Sequence, residues 1–317
     1  MSALGRRLRG VAERPELTID YRSRPAPYGG SNQFLRALRG ELERRGLRVS
    51  DHAVAGRTRA CLLHSYLVNV RELSAALPAS CRVVHRVDGP IALYRGRDDG
   101  ADQRIAAINA RLAHATVFQS RWSLDAHREL GLDLRDPVLI PNAVDPAIFH
   151  PPDRHEPTAG RRVRVIATSW SDNPRKGAAT FGWLARAADP ARFEFTFVGR
   201  ASEPLVGVRV VPPVDSSELA NLLRQHDVYV AASLADPCSN AVLEGLACGL
   251  PVLYARSGGH PEIVGDAGLG FDDKHELPEL LDQLVQELPA RRRAIAIPTL
   301  AGVAGRYLDV LGLTPMP

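Results

Sequence analysis

Residues 235–252 read ADPCSNAVLEGLACGLPV and hold two acids eight positions apart, Asp236 and Glu244. The preceding run DVYVAAS (227–233) reads as a buried strand, so Asp236 falls just beyond its carboxyl end. Ser239 suits a helix N-cap, Asn240 to Cys248 a helix, and Gly249 its end. Glu244 then lies about one turn inside the helix, with its carboxylate able to reach a cleft. The amides of Asn240, Ala241 and Val242 point the same way. This is either a catalytic element or a buried helix whose acids occupy a loop and complement a dipole. The residue types leave both open.

SWSDNPRKGAATF (169–181) follows a strand and sets Arg175 and Lys176 just before a helix. Two cations at a helix N-terminus oppose the dipole, a choice that makes sense if an anion sits there. Lysine is scarce: Lys176 and Lys274 are the only two, every other base being arginine. PAPYGGSNQFLRAL (25–38) places a Gly29-Gly30 turn between strand and helix, where backbone amides can approach a ligand, although such turns also serve packing. The sequence has no G-x-G-x-x-G opening a helix, no Walker loop, no G-x-S-x-G elbow and no Asp-x-Asp pair. NAD, FAD and a metal–diphosphate clamp are therefore not signalled. An anionic ligand falls to Arg, Lys, amides and helix N-termini.

These groups need a frame. A chain of 317 residues suits two domains, and 45% hydrophobic with 24% charged residues is a soluble globular composition. No apolar run reaches the roughly 18 residues of a membrane helix. The start MSALGRRLRGVAERP is basic without an apolar core and does not read as a secretory signal. Cys61, Cys81, Cys238 and Cys248 form no CxxC pair and the ten histidines no cluster, so free thiols in a reducing cytoplasm are expected rather than a zinc site. Residues 1–143 carry 23 arginines against 15 acids, and residues 144–317 carry 17 bases against 21 acids. A basic first half suits either an anionic acceptor or membrane surface, or a solvated face. No basic run is interleaved with aromatics, which argues against nucleic acid.

Strand-like runs at 17–21, 59–68, 81–87, 115–120 and 136–145 alternate with helical runs at 31–46 and 101–114. A Pro-rich polar stretch at 150–160 follows as a linker or surface loop. A second series has strands at 162–170, 193–200, 208–214, 227–233 and 250–255, with a helix at 178–188. Such alternation predicts parallel sheets covered on both faces, in two Rossmann-like domains facing a cleft, with ligands at the carboxyl ends of strands.

The ordered blocks PYGGSNQFLRALRGELERRGLRV, VLIPNAVDPAIF, RKG, FVGR, HDVYVAAS, DPCSNAVLEGLACGLPVLYARSGGHPEIV and AGLGF resemble a retaining glycosyltransferase of the GT-B fold, most similar to glycosyltransferase family 4. The resemblance covers roughly residues 17–271, and its most specific part runs from Asp-x7-Glu to Gly-Gly-x-Pro-Glu. It implies an α/β protein with an acceptor-binding Rossmann-like domain over 1–143, a nucleotide-sugar domain over 144–299, and a 300–317 helix returning to the first. A hinge is expected near Asn142 to Asp145. It also implies retaining transfer of a sugar, hexosyl or related, from a nucleotide-diphosphate sugar to a hydroxyl acceptor, with no cofactor and no metal. Glu244 would bind the donor ribose and Asp236 lie beside the transferred sugar. The amides of Asn240, Ala241 and Val242, with Arg175 and Lys176, would hold the diphosphate. Gly29, Gly30, Gly199 and Ser239 complete the implied donor set. His85, in VVHRVDGP, resembles the family's histidine near the reacting centre, and Arg86 and Asp88 would shape the acceptor side. Cytoplasmic location follows, with peripheral contact at an anionic membrane as an option.

The chain departs from the pattern in three places. The first acid is Asp236 rather than Glu, Ser171 stands where an Arg is usual, and Cys238-Ser239-Asn240 replaces Phe-Gly-Leu. Two rival readings share the architecture: a nucleotide-sugar epimerase and a non-catalytic glycosyltransferase-like subunit.

Overall fold

The computed structural model describes residues 15–21, 29–51, 54, 56–66 and 68–313. The basic start, residues 25–28 of the Gly-Gly stretch and residues 314–317 lie outside them.

The first lobe runs β1 (Leu17–Asp20), α1 (Gly30–Arg44), β2 (Val49–Asp51), β3 (Ala60–His64), α2 (Val70–Ala76), β4 (Arg82–Arg86), α3 (Ile91–Arg95), α4 (Ala101–Leu112), β5 (Ala115–Phe118), α5 (Arg121–Glu129) and β6 (Pro137–Leu139). Its six strands are parallel, in the order β2-β1-β3-β4-β5-β6. The second lobe runs β7 (Val163–Ser169), α6 (Ala178–Ala187), β8 (Phe193–Gly199), β9 (Val208–Val211), α7 (Ser216–Arg224), β10 (Val228–Ala231), α8 (Asn240–Ala247), β11 (Val252–Ala255), α9 (His260–Val264), β12 (Gly268–Phe271), α10 (Leu277–Gln286) and α11 (Leu288–Arg293). Its sheet is also parallel, in the order β12-β11-β10-β7-β8-β9. Parallel strands are covered on both faces, which is why β3, β5, β10 and β11 are buried at every position.

Strand order reverses between β1 and β3 in the first sheet and between β7 and β10 in the second. At such switch points the flanking loops diverge and leave a crevice beyond the strands' carboxyl ends. The loops after β7 and β10 carry Lys176 and Asp236.

The chain crosses between lobes beside Ala143, which belongs to the first core, while Val144, Ile148 and Phe149 pack in the second. The Pro-rich 150–160 stretch is thus a surface loop of the second lobe rather than the crossing itself. A final helix, α12 (Leu300–Leu311), lies against α1 and buries Val303, Tyr307 and Leu311 among Leu17, Phe34, Leu38 and Leu42 of the first lobe. All four cysteines are free and buried. Among the described residues no helix is long and apolar enough to cross a membrane.

Candidate active site

A cavity of about 330 Å³ lies between the lobes where the two switch points face each other. On the second-lobe side, a 3-10 turn over Pro174–Lys176 ends at Gly177, whose φ of 81° is left-handed. A Cβ there would stand 2.3 Å from the Ala232 carbonyl oxygen, so only glycine lets this turn press against the end of β10. The contact brings Lys176 Nζ to 2.9 Å from Asp236 Oδ2. Burial pulls the Lys176 ammonium down, but the Asp236 carboxylate more than offsets this and the net shift is upward. Burial likewise opposes ionisation of Asp236, and Lys176 with His260 carries its carboxyl below the ordinary value. The two therefore face the cavity as a charged pair.

The Asp236 loop is held by the Gly-Gly-His segment. The Gly259 amide donates to the Asp236 carbonyl at 2.8 Å, and the Ala235 amide donates to Ser257 Oγ at 2.9 Å. Ala235 has φ 54°, a left-handed conformation that costs about 1 kcal/mol or more in a non-glycine residue. The helix α8 starts next to this loop with Ser239 as N-cap, and Asn240, Ala241 and Glu244 line the cavity. Burial raises the Glu244 carboxyl to about 8.

The first lobe supplies Gly29 and Gly30, then Ser31, Asp88, Tyr94 and Gln119. A Cβ on Gly30 would lie 2.4 Å from Asn240 Nδ2, so glycine is what lets α1 approach the start of α8. Asp88 accepts from Arg86 Nη1 at 2.9 Å and Ser31 Oγ at 3.2 Å, and lies 3.2 Å from His64 Nε2. Burial opposes its charge, yet His64 and Arg86 hold the carboxyl well below the usual carboxylate range. Hydrogen bonds that tie the lobes include Gln33 Nε2 donating to Ser216 Oγ at 2.7 Å, Asn142 Nδ2 to Asn240 Oδ1 at 3.2 Å, and the Arg121 and Trp122 amides to the Glu262 carboxylate at 2.7 and 2.8 Å.

One cation, Lys176, and the start of α8 at one switch point, with acids beyond them, are the groups that suit an anionic, hydroxyl-bearing ligand. Residues 169–287 match the family described as Glycosyl transferases group 1. The second lobe carries a group 1 glycosyltransferase domain. The D-inositol 3-phosphate glycosyltransferase of Paenarthrobacter aurescens is 29% identical over 223 residues, 62% of this chain and 54% of that protein. The MMP alpha-(1->4)-mannosyltransferase of Mycolicibacterium hassiacum is 28% identical over 199 residues, 54% of this chain and 47% of that one. The chain thus spans about half the length of the curated relatives it matches. Sucrose-phosphate synthase from Thermosynechococcus elongatus superposes with a TM-score of 0.74 at 16% identity, over 95% of this chain and 100% of that one. Anabaena HepE in complex with UDP gives 0.72 at 15% identity, over 94% and 99%. The fold is GT-B, two Rossmann-like lobes about a cleft.

Of the site implied by the sequence resemblance, the structure gathers Lys176, Asp236, Glu244, Ser239, Asn240 and Ala241 around the cavity with Gly29, Gly30, Gly199 and Asp88. Four expected residues stand elsewhere. His85 is fully buried; its Nε2 donates to the Ser65 carbonyl at 2.7 Å and its Nδ1 faces Asn109. Burial lowers its pKa to about 4, so it is a neutral core histidine, and it does not line the cavity. Arg86 is also sealed from the cavity, under the Phe34 ring, and reaches it only by holding Asp88 and Asn142, which line it. Arg175 turns away, its side chain lying against Gly96 of the first lobe. The Val242 amide is taken by Ser239 Oγ at 3.4 Å, and Val242 is fully buried. The amides open to an anion are therefore those of Asn240 and Ala241.

Tyr94, Gln119, Asn142 and Trp170 line the cavity without having been expected there. Asn142 lies in the quoted VLIPNAVDPAIF block, which was the available signal. Tyr94 and Gln119 are brought in only by tertiary packing. Among the described residues no group of three or more His, Cys, Asp or Glu is placed to hold a metal ion.

Proposed function

We propose that the chain is a retaining glycosyltransferase of family 4 type. It moves a hexosyl or related sugar from a nucleotide-diphosphate donor to a hydroxyl of a glycan, lipid-linked or small-molecule acceptor, in the cytoplasm and without a metal ion. The observation that carries this reading is the Lys176–Asp236 pair, in one cavity with the first amides of α8 and the buried Glu244. Solved structures of Anabaena HepE in complex with UDP and with UDP-glucose share the fold, which makes uridine nucleotides the first ligands to try. The exposed Arg36, Arg71 and Arg111 of the first lobe suit peripheral contact with an anionic membrane.

In this reading the diphosphate lies over the α8 N-terminus and against Lys176. The bond from the sugar's anomeric carbon to the diphosphate oxygen breaks, and its electron pair stays on that oxygen. Lys176 and the Asn240 and Ala241 amides stabilise the growing charge, each strong preorganised donor contributing about 3 kcal/mol. The acceptor hydroxyl bonds to the anomeric carbon on the same face, and its proton passes to the departing diphosphate. Asp236 steadies the positive charge that develops on the sugar, and Glu244 receives the donor ribose hydroxyls.

A thermal-shift panel of UDP, GDP, ADP and dTDP sugars tests the donor, because a ligand of the native state raises its apparent stability. Release of free nucleotide diphosphate together with a glycosylated acceptor supports transfer. Interconversion of the sugar without an acceptor would point instead to an epimerase, and absence of nucleotide binding to a non-catalytic subunit.

A further inference from the structure

Of the two cations that precede α6, only Lys176 lines the cavity, and Arg175 beside it is left without a part in the chemistry. The backbone of Arg175 is held on both sides. Its amide donates to Asn173 Oδ1 at 2.9 Å, and its carbonyl accepts from the amide of Leu234, in the loop that carries Asp236, at 2.8 Å. From that turn the side chain leaves the second lobe and lies on Gly96, at the end of α3 in the first. A Cβ on Gly96 would stand 2.9 Å from Arg175 Cδ, and the Gly96 φ of 74° is itself left-handed.

Lys176 reaches the same helix, its Nζ standing 6.0 Å from the centroid of the Tyr94 ring. The helix α3 is fixed to the first lobe: the Ile91 and Ala92 amides donate to the Asp102 carboxylate at 2.8 and 2.9 Å, and Ile91 is buried in a first-lobe cluster. Two consecutive residues of a second-lobe turn therefore rest on one first-lobe element. Parting of the lobes would withdraw α3 from both. The contact is also costly as it stands, because Arg175 Nε is buried with no partner among the described residues. Water would satisfy that N–H once the lobes part, so the contact opposes closure unless a ligand between the lobes offsets it.

Resting on the glycosyl-transfer reading, we propose that Arg175 is a positioning residue that makes the placement of Lys176 conditional on closure of the lobes. The Leu234 amide ties Arg175 to the Asp236 loop, so pressure from α3 on the side chain reaches Lys176 and Asp236 together. With α3 seated, the charged pair is aligned for the departing diphosphate. With α3 withdrawn, Arg175 is hydrated and the pair is out of line with a bound donor. Cleavage of the donor is thereby confined to the closed molecule, where water is kept out.

The test uses the full chain, the panel nucleotide sugar that raises its melting temperature most, and the matching free nucleotide diphosphate. Turnover is read as release of that diphosphate. Arg175→Ala should lower turnover about tenfold while affinity for the free nucleotide, by calorimetry, stays within about threefold. Gly96→Ala leaves Arg175 in place and drives a methyl against its Cδ; it should lower turnover by a similar factor, and it guards against a folding failure in the first variant. In the Arg175→Ala background Gly96→Ala should cost less than about twofold, because its target is gone, whereas strain in the Gly96 backbone is the same in both backgrounds. Arg175→Lys, whose stem still spans the Cδ contact, should recover most of the lost turnover. Losses that multiply in the double variant would overturn the proposal, as would nucleotide affinity that falls in step with turnover; glycosyl transfer would stand in either case. If no member of the panel binds the parent chain, the glycosyl-transfer reading falls, and this inference with it.

Discussion

Replacing Glu244 by Gln should make the unliganded protein more stable in alkali and worse at binding nucleotide. Glu244 is 8% exposed, and burial moves its carboxyl from 4.5 to about 8. The folded state therefore keeps a proton that the unfolded chain gives up at about pH 4.5. Between those two values the folded state binds more protons, so stability falls as pH rises and levels off above about 8. At about 1.4 kcal/mol per pH unit, the full displacement corresponds to about 5 kcal/mol, and local relaxation trims it to about 2–5 kcal/mol. Gln resembles the neutral acid at every pH. Glu244→Gln should thus match the parent near pH 5 and melt at least about 4 °C higher at pH 8.5, taking about 2 °C per kcal/mol for lobes of this size. Ribose hydroxyls that donate to the carboxylate favour its charged form. Nucleotide binding at pH 7 should therefore expel a proton, measurable by calorimetry in two buffers of different ionisation heat. In the Gln variant that release should vanish and affinity drop about tenfold or more. A difference in Tm that is the same at both pH values, or a parent that binds nucleotide without releasing a proton, would refute the reasoning.

Lys176→Ala should lower turnover at least about a hundredfold, because the departing diphosphate loses its one side-chain cation; a loss below threefold in steady-state assays would sink that assignment. His85→Gln should keep turnover within about tenfold, since the imidazole is sealed in the core and touches no ligand. The parent's His85 resists protonation down to about pH 4 while the unfolded chain accepts a proton near 6.5, so the parent loses stability as pH falls through that window. Denaturant titrations at pH 7 and 4.5 should show this loss shrinking in the variant. Gly30→Ala should cost about 1–3 kcal/mol and weaken nucleotide binding, as the new methyl would displace Asn240 from the start of α8; unchanged calorimetry would show that the lobes need not meet there.

The fold was readable because its strands are continuous apolar runs between helices, a pattern that only a two-sided parallel sheet requires. What lacked that pattern went unread. β2 is three half-buried residues, and β12 is a strand written with two glycines, GLGF. The second-lobe site was legible because Lys176 and Asp236 each follow the end of a strand and Glu244 lies in the helix that begins just after Asp236. The first-lobe site was not, because Gln119 and Tyr94 acquire their meaning only when the lobes meet. His85 and Arg86 show why residue type alone misleads. They are consecutive on β4, so their side chains leave opposite faces of the sheet. Arg86 goes toward Phe34 and Asn142, and His85 toward Asn109. The strand's own alternation allowed at most one of the two to stand behind the cleft.

The packing of α12 against α1 has a consequence for the order in which the molecule is made. The core of the first lobe lacks Val303, Tyr307 and Leu311 until the whole second lobe has been synthesised. A nascent first lobe would carry an uncovered apolar groove along Leu38 and Leu42 while more than a hundred further residues emerge. The second lobe has its own core and can mature first. Folding on the ribosome should then run against chain order, with the earlier lobe finished last, and fragments that stop short of Leu300 should associate through the groove and call for chaperone cover.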